Sequence, residues 1–202
     1  MADSSRQLLS APVPSERADA ARNRALILDA AWRLVRTSGV DAVTMDAVAR
    51  EAGVGKGTVF RRFTSRAQLM QSLLNASELD FQQQFLFGPP PLGPEADPIT
   101  RLIAFGRARI DLLATQGDLL RAADGTSTSR YSAPARAASH LHITVLLRAA
   151  GVEGDLPVLS FNLLASLDSA LVLHENRAQL ISMERLAAGW EDLVRRVASA
   201  TV

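Results

Sequence analysis

The sequence predicts an all-α protein: an N-terminal three-helix unit followed by a larger helical bundle, about nine helices in all. Three observations carry that prediction. Apolar residues recur three and four positions apart along most of the chain. No stretch alternates apolar and polar residues between hairpin turns, so strands are not expected. Turn-forming residues gather in a few short clusters. The clearest is Gly88-Pro89-Pro90-Pro91-Leu92-Gly93-Pro94, where four prolines remove amide donors and fix the backbone.

Taken in order, residues 1–20 are expected to form a flexible tail, because Ser4, Ser5, Ser10, Pro12, Pro14 and Ser15 leave little periodicity at its start. From about Arg22 to Thr37 the apolar residues Ile27, Ala30, Ala31, Leu34 and Val35 make one helical face, and Gly39 follows as a C-terminal cap. Thr44 opens a short helix as its N-cap, with Asp46 near the positive end. Gly53 stops that helix, and a second short one runs to about Phe63. Thr64 or Ser65 then caps a longer helix with Leu69, Leu73 and Ala76 on one face and Met70, Leu74, Phe81 and Phe85 on the next.

Beyond the proline cluster, helices are expected over 98–116, 118–123, 134–150, 155–179 and 182–200, with loops at 125–132 and 151–154. The last helix carries a single seam, Met183, Leu186, Trp190, Leu193 and Val197, stepping by three and four. The helix before it is apolar on two sides, with Leu159, Leu163 and Ala170 on one and Leu164, Leu167 and Leu171 on the other. Both sides could be internal. In a chain of 202 residues the expectation is instead a homodimer through a four-helix interface of Leu164, Leu167, Leu171, Met183, Leu186, Trp190, Leu193 and Val197.

Composition excludes several classes. There is no cysteine, which removes disulfide scaffolds and thiolate metal sites. The first residues are polar and lack an apolar signal core, so a cytoplasmic chain is expected. Leu156–Leu173 approaches membrane-spanning length, but Pro157, Asn162 and Asp168 favour a buried helix, and no membrane partner is expected. The net charge of +1 conceals an asymmetry. Between Arg17 and Arg66 ten basic residues face five acidic ones, whereas from Ala67 onward fourteen acids exceed eleven arginines. A basic block on an otherwise slightly acidic chain points to one region that meets a polyanion.

That block holds Thr44 to Phe63, TMDAVAREAGVGKGTVFRRF, which reads as two short helices joined by a glycine-containing turn, the helix-turn-helix arrangement. Ala49 is small enough for the helix crossing, and Gly53 tolerates the positive φ of the turn. Val48, Val54, Val59 and Phe63 are spaced to pack on the first helix through Ile27, Ala31 and Leu34. Lys56, Gly57, Thr58, Phe60, Arg61 and Arg62 are left facing outward, on a helix able to enter a DNA major groove while flanking cations take phosphates.

With its preceding amphipathic helix, Thr cap, GVGKGTVFRRF run and basic charge, the chain resembles the tetracycline-repressor (TetR/AcrR) family of bacterial regulators, most specifically over 22–80. The resemblance implies a DNA-binding domain at 21–80, with the helix-turn-helix at about 44–63, and an effector-binding and dimerisation domain at 81–202. It implies a ligand-responsive repressor released from a pseudo-palindromic double-stranded operator by a small effector. It further implies that Thr44 meets a phosphate, that Lys56, Gly57 and Thr58 lie at the groove, and that Arg61 and Arg62 reach phosphates or a guanine edge. Arg66 stands where the family commonly has lysine, and Phe60 where it often has tyrosine, so a hydroxyl-to-phosphate bond is lost there. Arg22, with Arg17 and Arg24, would add contacts from the N-terminal side. The competing reading is a helical small-molecule-binding or scaffolding protein whose helix-turn-helix is only a packing unit.

Polar groups within apolar helices are the handle on an effector: Phe105 and Arg109, His140, and Asn162, Ser166 and Asp168 are the candidate ligand residues. His140 and His142, two apart on a helix, point away from one another and cannot chelate one ion, so no metal is expected. No glycine-rich phosphate loop follows a strand, and no nucleophile elbow is present. Neither catalysis nor a cofactor is expected.

Overall fold

The structure, a computed structural model, describes residues 16–122 and 133–199. Over these residues it is all-α: α1 (Glu16–Ser38), α2 (Met45–Ala52), α3 (Lys56–Arg62), α4 (Arg66–Phe87), α5 (Pro98–Ala122), α6 (Ala133–Ala149), α7 (Leu156–Ser166), α8 (Ser169–Ala178) and α9 (Met183–Ser199). A 3-10 turn at Val40–Ala42 links α1 to α2. Most of the expected tail and the loop at 125–132 lie outside the described residues. The part of that tail within them is not a tail, because α1 begins at Glu16. The backbone divides into two compact units, Met1–Thr64 and Ser65–Val202.

In the first unit α1 packs on α2 and α2 on α3. Ile27, Ala30, Ala31, Val43, Val48 and Val59 are fully buried, and Ala49 at the crossing and Phe63 nearly so. Gly53 ends α2 in the left-handed region at φ 65°, where a side chain would be strained. The Val54 N–H then donates to the Ala49 carbonyl at 3.0 Å and turns the chain into α3. Arg33 pins α1 to the end of α2. Its Nε donates to the Glu51 carboxylate at 2.7 Å and its Nη2 to the Glu51 carbonyl at 3.3 Å, while Nη1 holds Asp29 one turn earlier.

In the second unit α5 is the central helix, packed by α4, α6, α8 and α9, while α7 packs on α6. The core is aromatic at one end. Phe81, Phe85 and Phe105 meet with ring centroids 5.1–5.3 Å apart. Trp190 of α9 closes the other side, its indole N–H donating to the Leu102 and Ile103 carbonyls of α5 at 3.1 and 3.2 Å. α9 lies so close to α5 that a Cβ on Gly106 would stand 2.0 Å from the Trp190 ring.

Two expected helices are corrected. The break placed at Gly117 is absent, and α5 runs on to Ala122. There glycine admits a neighbour, since its missing Cβ would press on Leu173 of α8 at 2.8 Å. Conversely, the single helix expected over 155–179 breaks after Ser166. The Asp168 carboxylate accepts from the Ala170 and Leu171 N–H groups at 3.0 and 3.2 Å, which caps a new helix. The apolar run Leu156–Ala178, of mean hydropathy 1.7, is therefore two helices rather than one. It is also less buried than expected: Val158, Phe161 and Leu171 are 51%, 54% and 49% exposed.

The expected dimer residues differ in exposure. Leu164, Leu167 and Trp190 are buried in the chain's own core, where α9 covers α5. Met183, Leu186 and Val197 are half-buried against the same core. Only Leu171 and Leu193 of that set are exposed.

Candidate nucleic-acid interface

The segment from Thr44 to Arg62 builds one exposed basic surface on a buried underside. Thr44 caps α2: its Oγ1 accepts from the Ala47 N–H at 3.1 Å, which leaves the hydroxyl proton to donate outward. On α3, Val59 faces the core and Thr58 is half-buried, while Lys56, Gly57, Phe60, Arg61 and Arg62 are exposed. A Cβ on Gly57 would meet open space, so backbone lies bare at that point of the helix. Phe60, 43% exposed, is the one large apolar side chain on this helix face, and a ring there suits a thymine methyl.

The cations of this surface differ in what already holds them. Lys56 Nζ lies 2.8 Å from Asp46 Oδ1 and 5.8 Å from the Phe60 ring centroid. Arg62 Nη2 donates back to the Ala20 carbonyl of α1 at 3.0 Å. Arg22 is paired with Asp19 one turn away. Arg24 lies over the Phe63 ring at 5.7 Å, on the α1 side. Arg66 opens α4 in the second unit, half-buried and already engaged within the chain. Arg61 alone among the α3 cations is exposed with no hydrogen bond or ion pair among the described residues. Sequence reasoning placed Asp46 at the helix end but missed its grip on Lys56, a contact that exists only once the turn has folded α3 back on α2.

The six candidate effector residues do not converge. Phe105 is fully buried in the aromatic cluster. Arg109 is salt-bridged to Glu78 and stacked over Phe81 at 5.6 Å. His140 Nε2 lies 3.0 Å from the Pro157 carbonyl, tying α6 to α7. Asn162 is exposed. Ser166 donates to the Leu163 carbonyl at 2.7 Å, and Asp168 is the α8 cap. Of these, Ser166 alone lines the cleft of 340 Å³ that Leu167, Val172, Arg185, Leu186, Trp190 and Leu193 also border.

His142 is the buried polar group that is left over. It packs between Phe85 and Phe105, with centroids 4.4 and 5.3 Å away, and its Nε2 has no hydrogen-bond partner among the described residues. Burial first, and the positive charge of Arg101 second, push its pKa down to about 4, so the ring is neutral at physiological pH.

Comparison with known proteins agrees with this geometry. Residues 27–73 match the family model for bacterial regulatory proteins of the tetR family. The chain is 30% identical over 119 residues to the DNA-binding transcriptional repressor TetR of Mycobacteroides abscessus, an alignment covering 59% of this chain and 53% of that protein. It is 33% identical over 78 residues to the HTH-type transcriptional regulator SrpR of Pseudomonas putida, covering 39% and 35%. The chain thus spans about half the length, or less, of these curated relatives. Among solved structures, the TetR transcriptional regulator SCO0520 of Streptomyces coelicolor is 28% identical with a TM-score of 0.54, covering 87% of this chain and 96% of that one. The SmeT–triclosan complex, 18% identical with a TM-score of 0.58 and coverage of 87% and 90%, shares the fold. Helix order and the capped, glycine-turned α2–α3 pair agree with these likenesses, which make the chain similar to bacterial regulatory proteins of the tetR family, most directly over residues 27–73.

Proposed function

We propose that the protein is a DNA-binding transcriptional regulator that acts in the cytoplasm as a homodimer, represses at a pseudo-palindromic operator, and is released by a small effector. The observation that carries this reading is α3 itself. Its core side is buried, while Lys56, Phe60, Arg61 and Arg62 stand exposed on a single helix. A helix packed in this way presents side chains to a major groove, and an N-cap hydroxyl at Thr44 supplies a phosphate donor beside it. The printed name of the Mycobacteroides abscessus relative, a repressor, supports repression as the mode. For the effector, the cleft beside Ser166 falls in the size range of ligand sites. Arg185 at its edge is a lone cation among mainly apolar walls, which favours an apolar molecule bearing an acidic group.

The test is a mobility-shift series with genomic fragments at several salt concentrations. Specific binding is expected, falling steeply with salt as phosphates are neutralised. Because Arg61 has no competing partner, Arg61→Ala should cost the most, about 1–3 kcal/mol if it reads a base. Lys56→Ala and Arg62→Ala should also weaken binding, each less, since Lys56 is already engaged by Asp46 and Arg62 by the Ala20 carbonyl. Unchanged affinity in all three variants would refute the assignment of this face.

A further inference from the structure

Lys56 does not stand free at the head of α3. The Gly53-Val54-Gly55 turn brings it over the first turn of α2, where its Nζ sits 2.8 Å from Asp46 Oδ1 and 2.9 Å from Oδ2. The ammonium is thus held by both carboxylate oxygens, and the Phe60 ring lies beneath it at 5.8 Å. Both partners are largely exposed, 63% for Lys56 and 58% for Asp46. An exposed pair of this kind contributes little to folding; Asp46 also favours the positive end of α2 from its first turn, yet neither role needs its carboxylate clamped on Lys56, on a surface otherwise suited to a polyanion.

Resting on the DNA-binding reading above, we propose that Asp46 is a positioning residue that sets sequence discrimination. It holds the Lys56 ammonium in front of α3, toward base edges, and keeps it off the phosphates. A lysine on a free four-carbon stem reaches whichever phosphate is nearest, and such contacts are blind to sequence. Drawing Nζ away from Asp46 leaves an unpaired carboxylate facing the DNA backbone. The backbone-only mode therefore carries a penalty that the base-reading mode escapes, because there Lys56 stays between the carboxylate and the groove. Repulsion of the wrong mode, rather than added attraction to the right one, is what separates the two.

The experiment compares the full-length wild type with Asp46→Asn, Asp46→Glu and the Asp46→Asn/Lys56→Ala double variant. Binding is read by fluorescence anisotropy, against a duplex the wild type selects from a randomised library and against poly(dI-dC), across a salt series. Asp46→Asn is expected to bind poly(dI-dC) more tightly, to steepen the slope of log K against log salt by about 1, and to lose about tenfold in the ratio of selected to non-specific affinity. Asp46→Glu should restore most of that ratio. The double variant should return the salt slope to the wild-type value, because the gain travels through Lys56. Equal weakening on both DNAs with an unchanged slope would mean a merely structural pair and would overturn the proposal, as would no change on either. A wild type that selects no duplex at all would overturn the DNA-binding reading, and this inference with it.

Discussion

A neutral, unpartnered imidazole in an aromatic core makes stability depend on pH in a definite direction. The unfolded His142 ring takes up a proton near 6.5, while the folded one resists until about 4. Between those values the unfolded chain binds the extra proton, so acidification favours unfolding, and the penalty is complete once pH falls below the folded value. A gap of that size is worth roughly 3 kcal/mol at 1.36 kcal/mol per unit. Urea denaturation at pH 7 and pH 4.5 should therefore show the wild type losing more stability than His142→Leu. At pH 7 the leucine variant should be no less stable, because an orphaned Nε2 costs about 1–3 kcal/mol that an apolar side chain does not. Equal pH dependence in the two proteins would sink this account. At the same scale the sequence shows which side chains face out of α3 but not which are free to act. Val48, Val59 and Phe63 announce the inner face by spacing alone, whereas Arg62 is held by a carbonyl forty-two residues away, and no local pattern carries that.

At the scale of elements, two glycines inside α5 look alike in sequence and differ in what they meet. At Gly106 the missing Cβ leaves room for the Trp190 ring, which is rigid and anchored by its own N–H to α5. At Gly117 the neighbours are the ends of Leu173 and Arg177, which swing aside cheaply. Alanine in mid-helix gains about 1 kcal/mol over glycine in propensity. Gly117→Ala should accordingly be neutral or slightly stabilising. Gly106→Ala must push α9 off α5, and overpacking of that kind costs about 1–3 kcal/mol. Denaturation midpoints followed by tryptophan fluorescence check both, and a Gly106→Ala protein as stable as the wild type would show that α9 slides freely. The same contrast explains which helix boundaries were legible. Thr44 and Gly53 act locally, through a side-chain cap and a positive φ, so sequence suffices for α2. Gly117 is kept helical by α8 packing on it, and Asp168 breaks an apolar run that reads as continuous because its cap outweighs the pattern around it.

For the whole molecule, exposed apolar side chains on α6 and α7 offer a further place for the expected homodimer contact. The seam of α9 was legible as apolar, but its partner is α5 of the same chain, and a periodicity cannot say whose helix it packs against. Among the exposed large apolar side chains are two pairs on α6 and α7, helices that pack on each other: Leu141 is 63% exposed, Val145 46%, Val158 51% and Phe161 54%. Leu141 and Val145 stand one turn apart on α6, as Val158 and Phe161 do on α7, and exposed apolar pairs of this kind are candidates for an interface that an isologous pair of copies would cover on both. Phe161 is the sharpest probe, because a residue this exposed can take a charge at little cost to the fold, while a charge facing its own copy across a two-fold axis repels. Phe161→Asp should halve the mass measured by light scattering, with helical circular dichroism unchanged. Operator affinity should fall in step, since one reading head engages only a half-site. A Phe161→Asp protein of wild-type mass would move the dimer contact away from α7, toward the exposed Leu171 and Leu193 of α8 and α9.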